Sequence, residues 1–89
     1  MVRTMSLTQL EYFVAVAEER HFGRAAKRLA VSQPPLSRQI LKLEDEVGAR
    51  LLRRTPRGAE LTDEGAELLT RARDILGKVA DARSAFRRD

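Results

Sequence analysis

Eighty-nine residues with 34% charged and 43% hydrophobic side chains and a formal net charge of +4 describe one small globular domain whose partner is expected to be anionic. The absence of cysteine excludes a disulfide framework, thiolate zinc sites and a cysteine nucleophile, and a single histidine, His21, excludes a multi-histidine metal site. No apolar run is long enough to span a bilayer, and Met1-Val2-Arg3-Thr4-Met5 lacks the apolar core and cleavage site of a signal peptide, so the expected location is the cytoplasm.

The charge is unevenly placed. From Thr62 onward Asp63, Glu64, Glu67, Asp74, Asp81 and Asp89 balance Arg71, Arg73, Lys78, Arg83, Arg87 and Arg88, so the basic excess lies wholly before that point. Its densest clusters are Arg20, Arg24, Lys27 and Arg28, then Arg50, Arg53, Arg54 and Arg57. A basic head on a charge-balanced tail is the first organisational feature.

A first helix is expected from Ser6 to Arg20, opened by a capping box (Ser6 with Gln9, or Thr8 with Glu11) and burying Leu10, Phe13, Val14 and Ala17. His21-Phe22-Gly23 reads as a break, with Phe22 plugging the core. A short second helix follows from Arg24 to Ala30, with Ala25, Ala26 and Leu29 inward and Val31 buried in the turn. The third begins at Ser32 as N-cap and ends at Gly48; Pro34 and Pro35 are tolerated because first-turn amides lack intrahelical partners.

Within the third helix Leu36, Ile40, Leu43 and Val47 form one stripe within about 60° of arc. The opposite side carries Gln33, Pro34, Ser37, Arg38 and Leu41. An amide, a hydroxyl, a guanidinium and proline carbons can read base edges, whereas an ordinary solvated face is richer in Glu and Lys. Two short strands around Thr55-Pro56-Arg57-Gly58 then form a wing tipped by Arg57.

Thr62 caps a last helix, with Asp63 and Glu64 in its first turn. Gly65, Leu68, Ala72, Ile75, Val79, Ala82 and Phe86 alternate steps of three and four, an a/d seam that Leu69 and Leu76 widen. The expected fold is mainly α: a winged helix-turn-helix head (residues 6–61) of three helices and a two-stranded wing, then a long dimerisation helix (62–89). The dimer contacts are assigned to Leu68, Ala72, Ile75, Leu76, Val79, Ala82 and Phe86.

These residues resemble the N-terminal domain of LysR-type transcriptional regulators. The resemblance rests on Leu10–Ala17, Phe22–Leu29, Val31–Ile40 with its Ser-Gln-Pro-Pro-Leu-Ser-Arg core, Leu43-Glu44, Val47-Gly48, Leu51–Arg54, Arg57-Gly58 and Leu61–Gly65. It implies a bacterial regulator that binds an interrupted palindrome of double-stranded DNA. The homodimer it implies pairs antiparallel linker helices, with tetramers open to the full-length protein.

By that resemblance Gln33, Pro34, Ser37 and Arg38 are the major-groove readers, on a recognition helix spanning 33–47. Arg57 enters the minor groove, and Ser32, Pro35, Arg53 and Arg54 make backbone or wing contacts. Gly23 departs from the family pattern, standing where many relatives carry a hydroxyl cap. The chain also stops at Asp89, where relatives continue into an effector-sensing domain, so it reads as a cut-down piece with no cofactor of its own.

Other classes explain less. A helical protein-interaction module shares the seam but gives no reason for two prolines opening the third helix or for an arginine-tipped wing. Glu44, Asp45 and Glu46 are consecutive and cannot converge on one substrate, and no nucleophile–base pair can be assembled, so an enzyme is not expected. The charge-balanced outer face of the last helix lacks the basic bias of a membrane-surface helix.

Overall fold

The computed structural model describes residues 5–87, which form α1 (Leu7–Glu19), α2 (Phe22–Leu29), α3 (Gln33–Val47), β1 (Leu52–Thr55), β2 (Gly58–Leu61) and α4 (Asp63–Ser84). The first three helices make the head, the two antiparallel strands make the wing, and α4 follows the wing, in a molecule of 47 × 32 × 23 Å.

Each helix start has a local cause. At α1 the Ser6 hydroxyl accepts from the Gln9 amide while the Gln9 side chain accepts from the Ser6 amide, both at 3.0 Å, so the Ser6/Gln9 capping box is the one formed. Helix α2 starts earlier than expected. His21 is its N-cap, with Nδ1 accepting from the Arg24 amide at 3.0 Å, which carries Phe22 and Gly23 into the first turn instead of leaving them as a break. A Cβ on Gly23 would lie 2.8 Å from His21 Cε1, so this histidine cap and a bare residue 23 belong together.

Ser32 occupies the N-cap position of α3 with extended backbone but makes no side-chain cap bond. The reason is in the sequence: an N-cap oxygen accepts from the second or third helical amide, and those residues are Pro34 and Pro35, which have none. Gly48 closes α3 at φ +73°, its N–H bonding to the Glu44 carbonyl at 2.9 Å. The Glu44 carboxylate reaches the other way, accepting from the amides of Leu51 at 2.8 Å and Leu52 at 3.2 Å, and so pins the start of the wing to α3.

The core gathers Leu10, Phe13 and Val16 from α1, Phe22 and Ala25 from α2, Leu36, Ile40 and Leu43 from α3, and Leu51, Leu52 and Ala59 from the wing. Val47 leaves the expected stripe and is 37% exposed, because it lies in the last turn before Gly48, past the packed part of the head. Leu29 and Val31 pack against the core only partly buried.

The apolar periodicity of α4 meets a different partner than expected over its first turns. Leu68 (9% exposed) and Ala72 (fully buried) are core residues of this same chain, so they are withdrawn from the dimer seam: the first turns of α4 bury their apolar stripe on the head. Ile75 and Leu76 are partly buried against that core, Val79 is half-exposed, and Ala82 and Phe86 are exposed. The seam left without cover is therefore the distal part, and Phe86 lies beyond the helix, whose C-cap is Ala85. The last residues assigned to this helix, 88 and 89, lie outside the described residues.

Backbone packing holds α4 to the wing. Thr62 Oγ1 accepts from the Gly65 amide and donates to the Arg50 carbonyl, and the Thr62 amide donates to the Leu51 carbonyl at 3.0 Å. At Gly65 a Cβ would sit 2.0 Å from the Leu51 oxygen, whereas one at Gly77 would meet nothing. Alanine is the better helix former by about 1 kcal/mol. Gly77→Ala is expected to raise the stability of the domain by up to about that amount. Gly65→Ala should lower it by about 1–3 kcal/mol through overpacking. Urea unfolding at matched protein concentration distinguishes the two signs.

Candidate nucleic-acid interface

The helix-turn-helix and the wing converge on one side of the head. Gln33 is α3's first residue, and its Oε1 lies 3.9 Å from where a Gly23 Cβ would be, placing its amide over the start of α2. Gln33, Pro34 and Arg38 are exposed, and Pro35 and Ser37 are half-buried. Leu41, one turn on, is 62% exposed beside them. The exposed Ser32 hydroxyl, with no cap bond to make, stands at the head of this row.

The wing register pairs Leu52 with Leu61, Arg53 with Glu60, Arg54 with Ala59 and Thr55 with Gly58, leaving Pro56 and Arg57 as the two-residue tip. Thr55 Oγ1 fixes that tip, accepting from the Arg57 amide at 3.2 Å and donating to the Gly58 carbonyl. The inner edge of the wing touches α1: the Ala59 amide donates to the Arg20 carbonyl at 3.0 Å. This approach requires Gly58, since a Cβ there would lie 2.2 Å from the same oxygen at a backbone φ of +139°. Between wing and helices lies an open cleft of about 360 Å³ that brings Gln33, Arg54 and Arg57 together with His21.

Strand alternation separates the two arginines of β1. Arg53 turns outward and faces Glu60 across the ladder at 3.9 Å. Arg54 lies on the same face as Leu52. Its guanidinium stacks on the Phe22 ring, 3.8 Å from the centroid, and donates to the Ser37 hydroxyl at 2.6 Å.

Ion pairing divides the cations. Arg24 and Arg28 are engaged by Glu18 and Glu19 of α1, and Arg73 of α4 by Glu18. Among the described residues Arg38, Arg50, Arg54 and Arg57 make no ion pair, so the side formed by α3 and the wing holds positive charge that no carboxylate neutralises. Such charge is available to an anion. With Pro34 and Pro35 in its first turn, α3 presents few free backbone N–H groups at its start, so side chains carry most of the hydrogen-bonding capacity there.

Glu18 is shared, accepting from Arg28 at 2.8 Å and from Arg73 at 2.9 Å, and so joins α1 to both α2 and α4. Hydrogen bonds from Arg28 first and Arg73 second hold its carboxyl below the ordinary carboxylate value, and Arg28 is raised by the same contact. Neither this junction nor the Arg54–Ser37 contact was visible in sequence. Their partners stand on different elements, and only the pairing of i and i+4 charges within one helix is legible from spacing.

This arrangement of three helices, a two-stranded wing and a projecting fourth helix defines a winged helix-turn-helix. The model of the "bacterial regulatory helix-turn-helix protein, lysR family" matches residues 7–66, and the chain belongs to the LysR family. It is 59% identical over 88% of its length to the uncharacterized HTH-type transcriptional regulator YnfL of Escherichia coli (strain K12), covering 26% of that protein. It is 60% identical over 81% of its length to the HTH-type transcriptional regulator BudR of Klebsiella aerogenes, covering 50% of it.

Among solved structures, the crystallised DNA complex of the CbnR DBD matches 93% of the chain and all of that chain at TM-score 0.82 and 49% identity. The BenM DBD on catB site 1 DNA matches 91% of each chain at TM-score 0.88 and 46% identity. The chain thus spans from about a quarter to half of the curated relatives.

The sign of the Glu18 shift sets a pH window. A carboxyl lowered on folding adds stability above its unfolded value, and that contribution is lost as pH falls through the lower folded value. Wild type should exceed Glu18→Gln by under about 1 kcal/mol above pH ~5, the margin closing at more acid pH. Thermal unfolding of both proteins across pH 3 to 7 measures it, using roughly that span around ordinary carboxylate titration.

Proposed function

We propose that this chain binds double-stranded DNA sequence-specifically as a homodimer, with α3 in the major groove and the wing tip in the adjacent minor groove. The observation that carries this reading is the row of exposed and half-buried groups Ser32, Gln33, Pro34, Ser37 and Arg38, set beside Arg50, Arg54 and Arg57, which make no ion pair among the described residues. Gln33, Pro34, Ser37 and Arg38 are the base readers, and Ser32, Pro35, Arg53 and Arg54 are the backbone or wing contacts. Arg57 takes the minor groove, where a narrow A·T-rich tract concentrates negative potential.

The parts separate attraction from discrimination. Arginines beside phosphates supply salt-sensitive affinity and set the register. Side chains on base edges supply the sequence preference. One head makes few contacts, and joining two through α4 converts the second half-site into an intramolecular event. The distal residues Ile75, Leu76, Val79, Ala82 and Phe86 form that joint.

The relatives' names support a bacterial transcriptional regulator; we propose that it works in the cytoplasm and that this head has no enzymatic activity of its own. Duplexes selected from random sequence by this chain, then titrated by fluorescence anisotropy at several salt concentrations, test the reading. A preferred pseudo-palindrome and a steep salt slope support it; equal affinity for all duplexes refutes sequence-specific binding.

On a selected site Arg38→Ala should cost about 1–3 kcal/mol at one base position and little elsewhere. Arg57→Ala should weaken binding most on A·T-rich flanks; a uniform loss across flanks would reduce Arg57 to a phosphate contact. Val79→Asp leaves the head core untouched, so it should yield folded monomers by analytical ultracentrifugation. Dimers as stable as wild type would remove the distal seam from the assembly.

A further inference from the structure

We propose that Arg54 is a positioning residue for sequence discrimination: by occupying an acceptor site on the Ser37 hydroxyl it turns that hydroxyl into a donor toward DNA. The inference rests on the DNA-binding reading above and adds to it a coupling between the wing and the recognition helix.

Arg54 stands where strand alternation asks for an inward residue, on the face of β1 shared with buried Leu52. Its partner across the ladder, Ala59, is also buried. The guanidinium carbon sits over the Phe22 ring, 3.8 Å from its centroid, and Phe22 itself is 7% exposed, a member of the core. The ring contact anchors the guanidinium from one side, and Nη2 donates to the Ser37 hydroxyl at 2.6 Å. Among the described residues no carboxylate pairs with Arg54 to draw it elsewhere.

The consequence for Ser37 follows from its inventory. A serine hydroxyl has one proton and two lone pairs. A lone pair facing a cation is taken by a charge-assisted bond, and the remaining O–H is polarised toward donation. Ser37 then favours acceptors at the base edges it meets, guanine O6 and N7 or thymine O4, over the amino donors of cytosine and adenine. Without Arg54 the hydroxyl rotates freely and serves either role. The other donors of the Arg54 fork remain free for phosphate, so charge and positioning reside in one side chain but separate by mutation.

The test uses the 89-residue chain and duplexes it selects from random sequence, with each base pair varied in turn. Arg54→Lys keeps the charge and an apolar stem over Phe22 but loses the planar fork. It should keep the salt slope while losing about fivefold of discrimination at the base pairs where Ser37→Ala loses it, one hydrogen bond's worth. The double variant should lose nothing further there.

Full discrimination by Arg54→Lys, a loss spread evenly over all positions, or losses that add in the double variant would each overturn the proposal. Ser37→Ala places a good helix former at a half-exposed helix site, so it folds even where the arginine variant does not. An unchanged preference for acceptor-bearing edges in Ser37→Ala overturns the proposal by itself. Failure of wild type to select any duplex would strike the DNA-binding reading first, and this coupling with it.

Discussion

Two backbone carbonyls, those of Arg20 and Leu51, set how closely the wing can approach the helices. The first accepts the Ala59 amide and the second accepts the Thr62 amide, and each leaves room beside it only for a residue without a Cβ. Gly58 and Gly65 occupy those places. Everything the candidate interface needs is downstream of this packing. The wing lies against α1, its tip projects beside the start of α3, and α4 departs from the head in a fixed direction. The Glu44 carboxylate adds a third tether by holding the Leu51 and Leu52 amides.

With the wing seated, electrostatics sorts the surface. Acidic residues of α1 engage Arg24 and Arg28 of α2 and Arg73 of α4, while Arg38 of α3 and Arg57 at the wing tip make no ion pair among the described residues. Structural ion pairing and ligand attraction thus occupy different sides of the same small head. Exposed ion pairs of the first kind stabilise little individually. Glu18 nevertheless joins three helices through one carboxylate, so it constrains the angle between α4 and the head more than a single surface pair would.

Much of this was legible because short-range rules decided it. The Ser6/Gln9 box, the left-handed Gly48, the Leu36–Ile40–Leu43 stripe and the hairpin around Pro56 and Arg57 all follow from residues within a few positions of one another. Misreadings arose where a local rule had two outcomes. A step of three and four marks Leu68 and Ala72 as buried but does not say on which chain, and here the head covers them. Ser32 satisfied the composition rule for a cap while its neighbours removed the amides it would have bonded. His21 took the capping role that Gly23 lacks, through a ring nitrogen rather than a hydroxyl. The Arg54–Ser37 bond spans 17 residues and depends on strand register, which no periodicity encodes.

Pro34 and Pro35 carry a thermodynamic consequence as well. The first turn of a helix is ordinarily where it frays, yet two successive pyrrolidine rings hold φ near the helical value even in the unfolded chain. The turn presenting Gln33 and leading into Ser37 is therefore stiff before anything docks on it. Less disorder remains to be lost on association, and the free energy of contact is less diluted by ordering the surface that makes it.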